Sequence, residues 1–191
     1  MPKVSIILPI HDMKNGAFFL WRAVNSIMEQ TFRDYEIIIT REGKMAENTN
    51  AGMTRASGEL IKILYLDDWF AHPNALKDIV DNFKEEDIWM ITGANTNPHP
   101  YWTDDIETGN NKLGSPSALT MRKSHYLPFD NRMSWLLDCS LYKNLYQSYG
   151  KLPKILDGVN VNIGVGDHQM THILTDEEKL AEHKLIKEKY A

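Results

Sequence analysis

The sequence predicts an α/β fold with a mostly parallel central sheet and helices on both faces. Apolar runs rich in Ile, Val and Leu alternate with amphipathic helical segments throughout residues 3–94, the pattern of a parallel sheet with helical connections. In addition, Asp67 and Asp68 directly follow the third apolar run, where open α/β sheets bind their ligands.

The first half of the chain predicts four strands and three helices. The first helix is predicted because Leu20, Val24, Ile27 and Met28 recur at helical spacing. Gly58 is suited to follow the end of the second helix. The predicted strands are residues 3–9, 35–40, 60–66 and 88–94, and the predicted helices are residues 20–30, 46–57 and 73–83.

The second half begins with a long loop. Residues 97–117 are rich in Asn, Gly, Pro, Thr and Asp, and a loop of this length in a compact domain is usually functional or disordered. Further predicted elements are a short strand at 119–122, a helix at 134–149, a β segment at 156–165 and a capped polar helix from 175 to about 190. We therefore expect one domain, residues 1–191, in two halves: a nucleotide-type half (1–95) and a half that adds substrate contacts (96–191).

Composition excludes several classes of protein. A net charge of −5 argues against a basic nucleic-acid-binding surface. The single cysteine, Cys139, excludes an intrachain disulfide and is expected to be a packed thiol. No apolar stretch approaches the ~20 residues of a transmembrane helix. We expect a cytoplasmic protein without a transmembrane segment, and peripheral membrane contact remains open.

The Asp67 and Asp68 pair predicts a ligand site. Adjacent carboxylates are poor core residues because burying unpaired charge is costly. They are good ligands for a hard cation, which often leaves coordination positions for substrate phosphates. The pair therefore favours a site for a metal and a nucleotide diphosphate, and the alternative is a turn with two solvated aspartates. Residues 10–16 lack the Gly-x-Gly-x-x-Gly pattern, which counts against a Rossmann dinucleotide fold.

A set of short fragments occurs along the chain in a fixed order. The fragments are residues 2–11, 30–39, Asn50-x-Gly52, Ser57-Gly58-Glu59, Leu66-Asp67-Asp68, 114–117, 135–138 and 166–171. In order and spacing they resemble the family-two glycosyltransferases with the GT-A fold, densely over residues 2–76 and more thinly afterwards. The resemblance implies a GT-A-like domain of the nucleotide-diphospho-sugar transferase type, with a nucleotide-binding half (1–95) and an acceptor and catalytic half (96–191).

The resemblance places the donor's base at the ends of the first two strands. Pro9 and His11 match the position of an aromatic residue that stacks on the base, and Glu42 matches an acid that holds the base edge. The family more often has two aspartates where this chain has Arg41 and Glu42, so the identity of the base stays open. Lys44 matches a basic residue near the diphosphate. The alternatives are a strand-capping histidine and two solvated surface charges.

Further donor contacts follow from the same resemblance. It implies that Asn50 positions the donor, that Asp67 faces ribose or phosphate, and that Ser115 borders the donor sugar. Trp135 is a candidate to stack on a sugar face. For Asn50 the alternative is a helix-surface amide, and for Trp135 it is a core position, because sequence does not distinguish exposed aromatic platforms from buried ones.

The resemblance also implies a divalent metal, manganese or magnesium. Asp68 is expected to bind it, with His168 as a second ligand and His172 as a weaker candidate. Imidazole suits manganese, whereas magnesium prefers oxygen. The common Asp-x-Asp-Asp form is reduced here, since Tyr65 occupies its first position. A loop histidine without a metal is the alternative for His168.

Asp138 is the candidate general base. It lies four residues after Ser134, a potential N-cap, so the helix dipole would favour its ionised form. A carboxylate in this state can take the proton from an attacking hydroxyl. The alternative is a helix-start aspartate without a catalytic role.

Together these residues predict a metal-dependent inverting glycosyltransferase that uses a UDP-hexose donor. The acceptor hydroxyl, on a glycan, a lipid-linked molecule or another compound, stays open. Two alternatives are a sugar-nucleotide nucleotidyltransferase, which would want a Gly-rich basic loop after the first strand, and a non-catalytic nucleotide- or glycan-binding module.

Overall fold

The structure is a computed structural model that describes residues 1–190, and one seven-stranded sheet runs through it. The spatial order of the strands is β2-β1-β3-β6-β5-β7-β4. The strands are β1 (Val4–Pro9), β2 (Tyr35–Thr40), β3 (Leu60–Ile63), β4 (Trp69–Phe70), β5 (Trp89–Ala94), β6 (Leu119–Arg122) and β7 (Lys154–Asn162). The helices are α1 (Gly16–Met28), α2 (Met45–Arg55), α3 (Ala75–Asn82), α4 (Leu137–Tyr149), α5 (Met170–Ile173) and α6 (Asp176–Tyr190).

The sheet is mixed, so the prediction of a mostly parallel sheet is wrong in this respect. Strand β6 lies between β3 and β5 and pairs with both in the antiparallel sense. Strand β4 pairs antiparallel with β7. A parallel return from β5 to β6 would need a crossover, usually a helix. The long segment between them contains only the 3₁₀ turns Ile106–Thr108 and Pro116–Ala118, and the chain returns antiparallel.

Five strands nevertheless point the same way, and their carboxyl ends share one edge of the sheet. The pairs β1–β2, β1–β3 and β5–β7 are parallel, and β6 links the two groups by two antiparallel pairings. Because β6 runs in the opposite direction, it is the start of β6, at Leu119, that lies at this edge. The segment that precedes β6 therefore lies beside the end of β3.

The core lies on both faces of the sheet, as predicted. On one face, α1 and α3 bury Ile27, Leu76 and Ile79 against β1, β3 and β5. On the other face, α2, α4 and α6 pack on the same strands through Met53, Leu145 and other apolar residues. None of the helices within residues 1–190 is long and apolar enough to cross a bilayer.

Most predicted elements are present, with shifted ends. Strands β2 and β6 have the predicted bounds, and β1 is one residue shorter than predicted. The predicted third strand ends three residues early, at Ile63, and α4 begins three residues late, at Leu137. The short strand β4 and the single-turn helix α5 were not predicted.

Candidate functional site

The ends of β1 and β2 are joined by a buried amide. Asn48 Nδ2 donates to the carbonyl of Ile10 (2.8 Å), and Asn48 Oδ1 accepts from the N–H of Glu42 (2.9 Å). Asn48 is 4% exposed, so water does not compete for these bonds. It holds the segments that contain His11 and Glu42 next to each other, and sequence reasoning did not single it out.

A cleft of about 200 Å³ opens beside His11. It lies between the turn after β1, the start of α1 and Leu66, which immediately precedes Asp67. His11 is exposed at its mouth, and Pro9 is buried in the strand. The cleft is smaller than a typical ligand pocket, which measures about 300–1,000 Å³, and is therefore suited to a ring rather than to a whole nucleotide.

Asp67 and His168 meet at the carboxyl edge of the sheet. The atoms Asp67 Oδ2 and His168 Nε2 lie 2.8 Å apart, although the residues are 101 positions apart in sequence. Strand β4 follows Asp68 directly and pairs with the end of β7, which brings the following segment, 163–168, to Asp67. The ring of Phe19 packs against His168, with centroids 5.5 Å apart. His168 thus contacts Asp67 rather than Asp68.

Asp68 faces inward. It is 2% exposed, and its Oδ1 accepts from the N–H of Gly164 (2.8 Å). Burial, together with the neighbouring charge of Asp67, raises the pKa of Asp68, and hydrogen bonds from Ser117 and Gly164 oppose this rise. The carboxylate therefore ties three segments together: the end of β3, the segment before β6 and the segment after β7.

A buried lysine lies beneath Asp68. The Lys62 ammonium on β3 donates to the carbonyls of Ser117 and Leu119, the latter at 3.3 Å. Burial lowers the pKa of Lys62 to about 7, and the charge of Asp68 opposes this fall. Lys62 thus anchors the Ser117 segment to the strand that ends at the aspartate pair.

Arg22 fixes the backbone at Asp67 from the side of α1. Its Nη2 donates to the carbonyl of Asp67 (2.6 Å), and its guanidinium lies 3.5 Å from the ring centroid of Trp69. Both flanks of the aspartate pair are therefore held, one by Arg22 and the other by Gly164.

Asp138 lies in the first turn of α4, as predicted, but the residue that caps this helix is Leu136 rather than Ser134. Asp138 Oδ1 accepts from the N–H of Cys139 (2.7 Å), and its Oδ2 accepts from Asn111 Nδ2 (2.8 Å). Burial raises the pKa of Asp138, and these hydrogen bonds oppose the rise. A carboxylate with a raised pKa is suited to accept a proton near neutral pH.

Tyr65 lies between the aspartate pair and Asp138. Burial raises the pKa of Tyr65 beyond the ordinary range, the side chain of Thr49 opposes the rise, and the charges of Asp138, Asp68 and Asp67 add to it. Tyr65 is the residue at the first position of the reduced acidic motif. All three carboxylates are therefore close enough to act on one buried hydroxyl.

The start of α4 is held by a buried acid on the last helix. Glu182 Oε1 accepts from the N–H of Ser134 (2.7 Å), and Oε2 accepts from those of Trp135 (2.9 Å) and Leu136 (2.8 Å). Glu182 is 8% exposed. The final helix therefore fixes the backbone that leads into Asp138, a role that sequence reasoning missed.

Asn50 and Glu42, which were predicted to contact the nucleotide-sugar donor, make other contacts in the structure. The amide of Asn50 donates to the carbonyl of Phe129 (2.9 Å) and to Asn131 (2.8 Å), and accepts from the N–H of Phe129 (2.8 Å). These bonds tie α2 to the loop at Phe129, and the role of Asn50 in positioning the donor stays a prediction. The Glu42 carboxylate pairs with Arg55 at the surface, while its backbone stays beside the end of β1.

Three further predicted residues lie at the start of α2, before β6 and before α4. Lys44 is exposed at the start of α2, where its N–H donates to Glu47 (2.9 Å). Ser115 Oγ accepts from the N–H of Ser117 (3.3 Å) in the segment beside β3. Trp135 is partly buried against the core, and its indole N–H donates to Thr171 (3.2 Å).

Asp67 and His168 alone do not complete a metal site, so a cation there would need further ligands from a bound substrate. Within residues 1–190, no three His, Cys, Asp or Glu side chains converge on one point. Asp67 and His168 supply one oxygen and one nitrogen, and manganese accepts both. Metals at nucleotide sites commonly use one or two carboxylates and take further ligands from phosphates and water. The pair fits a cation that shares its coordination shell with a diphosphate.

Gly164 is tightly enclosed beside Asp67. A Cβ at this position would lie 2.4 Å from the carbonyl oxygen of Asp67 and 2.9 Å from Asp67 Oδ2. We expect Gly164→Ala to destabilise the protein by about 1–3 kcal/mol through overpacking, measured by urea unfolding. Gly16→Ala is the control, since its Cβ would meet only ordinary contacts at 3.4 Å and beyond. Equal stability of the two variants would contradict this description of the segment.

Solved glycosyltransferase structures match this arrangement of elements. S. aureus TarS 1–349 in complex with UDP has a TM-score of 0.70 at 15% identity, covering 96% of this chain and 64% of its own. Its complex with UDP-GlcNAc has a TM-score of 0.68 at 15% identity, covering 96% and 65%. The mannosyltransferase PcManGT from Pyrobaculum calidifontis, in complex with GDP-Man and Mn²⁺, has a TM-score of 0.68 at 11% identity, covering 97% and 64%.

The chain therefore has a GT-A-type glycosyltransferase fold, which confirms the fold implied by the resemblance. It spans just under two thirds of the length of these neighbours. No protein-family model and no curated protein matches the sequence.

Proposed function

We propose that this protein is a metal-dependent inverting glycosyltransferase that moves a hexose from a nucleotide diphosphate donor, with UDP preferred, to a hydroxyl acceptor. The contact between Asp67 and His168 at the carboxyl edge of the sheet is the observation on which the proposal depends. The neighbours in complex with UDP, UDP-GlcNAc, and GDP-Man with Mn²⁺ support a nucleotide-sugar donor.

Asp67 and His168 are the residues that would hold the cation. A bound divalent ion supplies positive charge that neutralises the negative charge on a departing diphosphate. The sequence favoured Asp68 as the metal ligand. In its buried position, with Gly164 and Ser117 as partners, Asp68 instead supports the loop that presents Asp67.

Asp138 serves as the general base in this proposal. It takes the proton of the acceptor hydroxyl as that oxygen attacks the anomeric carbon, and a single attack from the face opposite the leaving group inverts the configuration there. The N–H and thiol of Cys139 and the amide of Asn111 donate to Asp138, and a carboxylate with about four lone-pair sites still has one for this proton.

The base of the donor is assigned to the cleft at His11. His11 stacks on one face of the base, and the segment of Glu42, held close by Asn48, lies at its edge. Arg55 contacts only Oε1 of the Glu42 carboxylate, so an imide N–H can bond to Oε2 or replace Arg55 at Oε1. Both side chains are about half exposed, so exchanging this pair for another partner costs little.

Calorimetric titration of UDP, GDP, dTDP and CDP, each with and without manganese, tests the donor site. We expect UDP to bind most tightly and manganese to increase its affinity. The manganese-dependent increase should be lost in Asp67→Asn and in His168→Ala, because each removes one of the two protein ligands. Asp81→Asn is the control, since Asp81 pairs with Lys77 on the exposed face of α3.

The other outcomes are equally informative. Preferred binding of another nucleotide would retain the enzyme class and correct the role of Glu42. Binding without transfer to any acceptor would favour a non-catalytic module, and release of pyrophosphate from a nucleoside triphosphate and a sugar phosphate would favour a nucleotidyltransferase. Absence of binding for all four nucleotides would overturn the proposal.

A further inference from the structure

We propose that Asn111 is a positioning residue for Asp138. The Asn111 side chain fixes the orientation of the Asp138 carboxylate and couples that carboxylate to the turn at Gly114. This inference deepens the proposed function, on which the catalytic role of Asp138 rests. Asn111 lies near the end of the long loop between β5 and β6, in a segment where the sequence offered no reason to select one asparagine over its neighbours.

All the hydrogen-bonding groups of the Asn111 side chain are in use. Its Oδ1 accepts from the N–H groups of Leu113 (2.8 Å) and Gly114 (3.0 Å). Its Nδ2 donates to the carbonyl of Gly114 (3.1 Å) and to Asp138 Oδ2 (2.8 Å). Because two N–H groups point at the oxygen, the amide has only one satisfactory orientation, with its N–H₂ toward Asp138.

The contact with Asp138 has two physical effects. Asp138 already accepts the N–H of Cys139 through Oδ1, so the bond from Asn111 to Oδ2 fixes the second oxygen and prevents rotation about the terminal torsion. An N–H donor also stabilises the ionised carboxylate, which is the form that a general base requires.

The same amide couples Asp138 to the turn at Gly114. The carbonyl of Gly114 accepts from Asn111 and also from the Tyr142 hydroxyl on α4 (3.1 Å). Gly114 has a φ of +93°, a conformation that other residues rarely adopt. By resemblance the segment from Gly114 to Ser117 borders the donor sugar. A movement of this turn on donor binding would therefore reach Asp138 directly.

The electrostatic surroundings of Asp138 make the hydrogen bond from Asn111 important. The ionisable groups that face it are the hydroxyls of Tyr65 and Tyr142 and the thiol of Cys139, with the carboxylate of Glu107 behind the thiol. Glu107 in turn pairs with the Lys143 ammonium (2.8 Å), and the groups that lower the pKa of Asp138 against the effect of burial are hydrogen bonds, from Cys139 and Asn111 among others.

Asn111→Asp is a sharp test of this role. The new carboxylate keeps an oxygen for the N–H groups of Leu113 and Gly114 but replaces the donor to Asp138 by a second acceptor. We expect kcat at neutral pH to fall at least about tenfold, KM for the donor to change less than twofold, and the acidic limb of the pH profile to move up by about one unit or more, as like charges in contact require.

Two further variants separate this role from a structural one. Asn110→Asp adds the same charge one residue away, next to Asp105 rather than Asp138, and should leave the pH profile unchanged. Asn111→Ser keeps a hydroxyl oxygen for the turn but does not reach Asp138, so it should move the acidic limb upward even if Asn111→Asp folds poorly.

Carbon-13 NMR of the Asp138 carboxyl gives a readout that needs no enzymatic activity. Its resonance is assigned by its absence in Asp138→Asn. We expect its titration midpoint to rise in Asn111→Asp and in Asn111→Ser, and to stay constant in Asn110→Asp. An unchanged midpoint in both Asn111 variants would overturn the positioning role, whereas a raised midpoint in a protein with no transfer activity would uphold it and reject the proposed function instead.

Discussion

Asp138→Asn is expected to lower kcat for sugar transfer by about 100- to 10,000-fold, the usual contribution of a general base. Asparagine has nearly the same shape and can still accept from the N–H of Cys139 through its oxygen, which preserves the bond at the helix start, while its N–H₂ loses the bond to Asn111. Its amide nitrogen cannot take a proton from an acceptor hydroxyl. Nucleotide binding should remain, because Asp138 lies on α4 rather than at the Asp67 and His168 pair.

The appropriate control is another aspartate in the first turn of a helix. Asp176 begins α6 and is fully exposed, so Asp176→Asn should retain full activity. Steady-state rates with saturating donor, together with calorimetric donor affinity, separate a loss of chemistry from a loss of binding. Full transfer activity in Asp138→Asn would show that another group accepts the proton.

The pH dependence of the wild-type protein follows from the same residue. Burial raises the pKa of Asp138, and the base must be ionised to act. Activity should therefore be lost as pH falls through this raised pKa, at a higher pH than the usual aspartate value of about 3.9 would give. In the titration of kcat against pH, this acidic limb should be absent from the residual activity of Asp138→Asn.

Glu182→Ala is expected to reduce the free energy of unfolding by about 3 kcal/mol or more, since three N–H groups lose a charged acceptor. For a protein of this size that loss corresponds to a fall in Tm of about 6–12 °C. The backbone of Ser134, Trp135 and Leu136 would lose its attachment to α6. Thermal unfolding followed by circular dichroism measures the effect.

Glu188→Ala on the same helix is the matched control. Glu188 is exposed, so Glu188→Ala removes the same charge and side chain from α6 without leaving a buried N–H group unbonded. We expect a shift in Tm close to zero for this variant. Equal Tm values for Glu182→Ala and Glu188→Ala would mean that water replaces the carboxylate at no cost and that α6 does not stabilise the start of α4.

The sequence was informative where chemistry and chain position agreed. Asp67 and Asp68 follow an apolar strand run, which predicted that they lie at the carboxyl edge of the sheet. The fragment around His168 resembles the family, which predicted that His168 lies near them. The antiparallel direction of β6 could also have been predicted, because the segment before it has no helical pattern and a parallel crossover usually needs a helix.

Other parts of the site could not be predicted, because they depend on tertiary contacts. Glu182 looked like one of many acids on a polar helix, and only the packed structure shows that it accepts three N–H groups. The bonds between Asn50 and the loop at Phe129 join residues 79 positions apart, so the sequence pattern did not indicate them. Lys62 was a missed signal, since a lysine inside an apolar strand run indicates a buried partner.

Strands β5 and β6 are hydrogen-bonded neighbours, so the long connection between them leaves and re-enters the sheet at the same edge. Its ends stay close together at any length, and doubling the length of a closed loop costs only about 0.6 kcal/mol. Insertions near the exposed His99 can therefore be accommodated while Ile106 stays in the core and Asn111 keeps its bonds. In this scaffold, evolution or protein engineering can therefore reshape this rim without rebuilding the sheet.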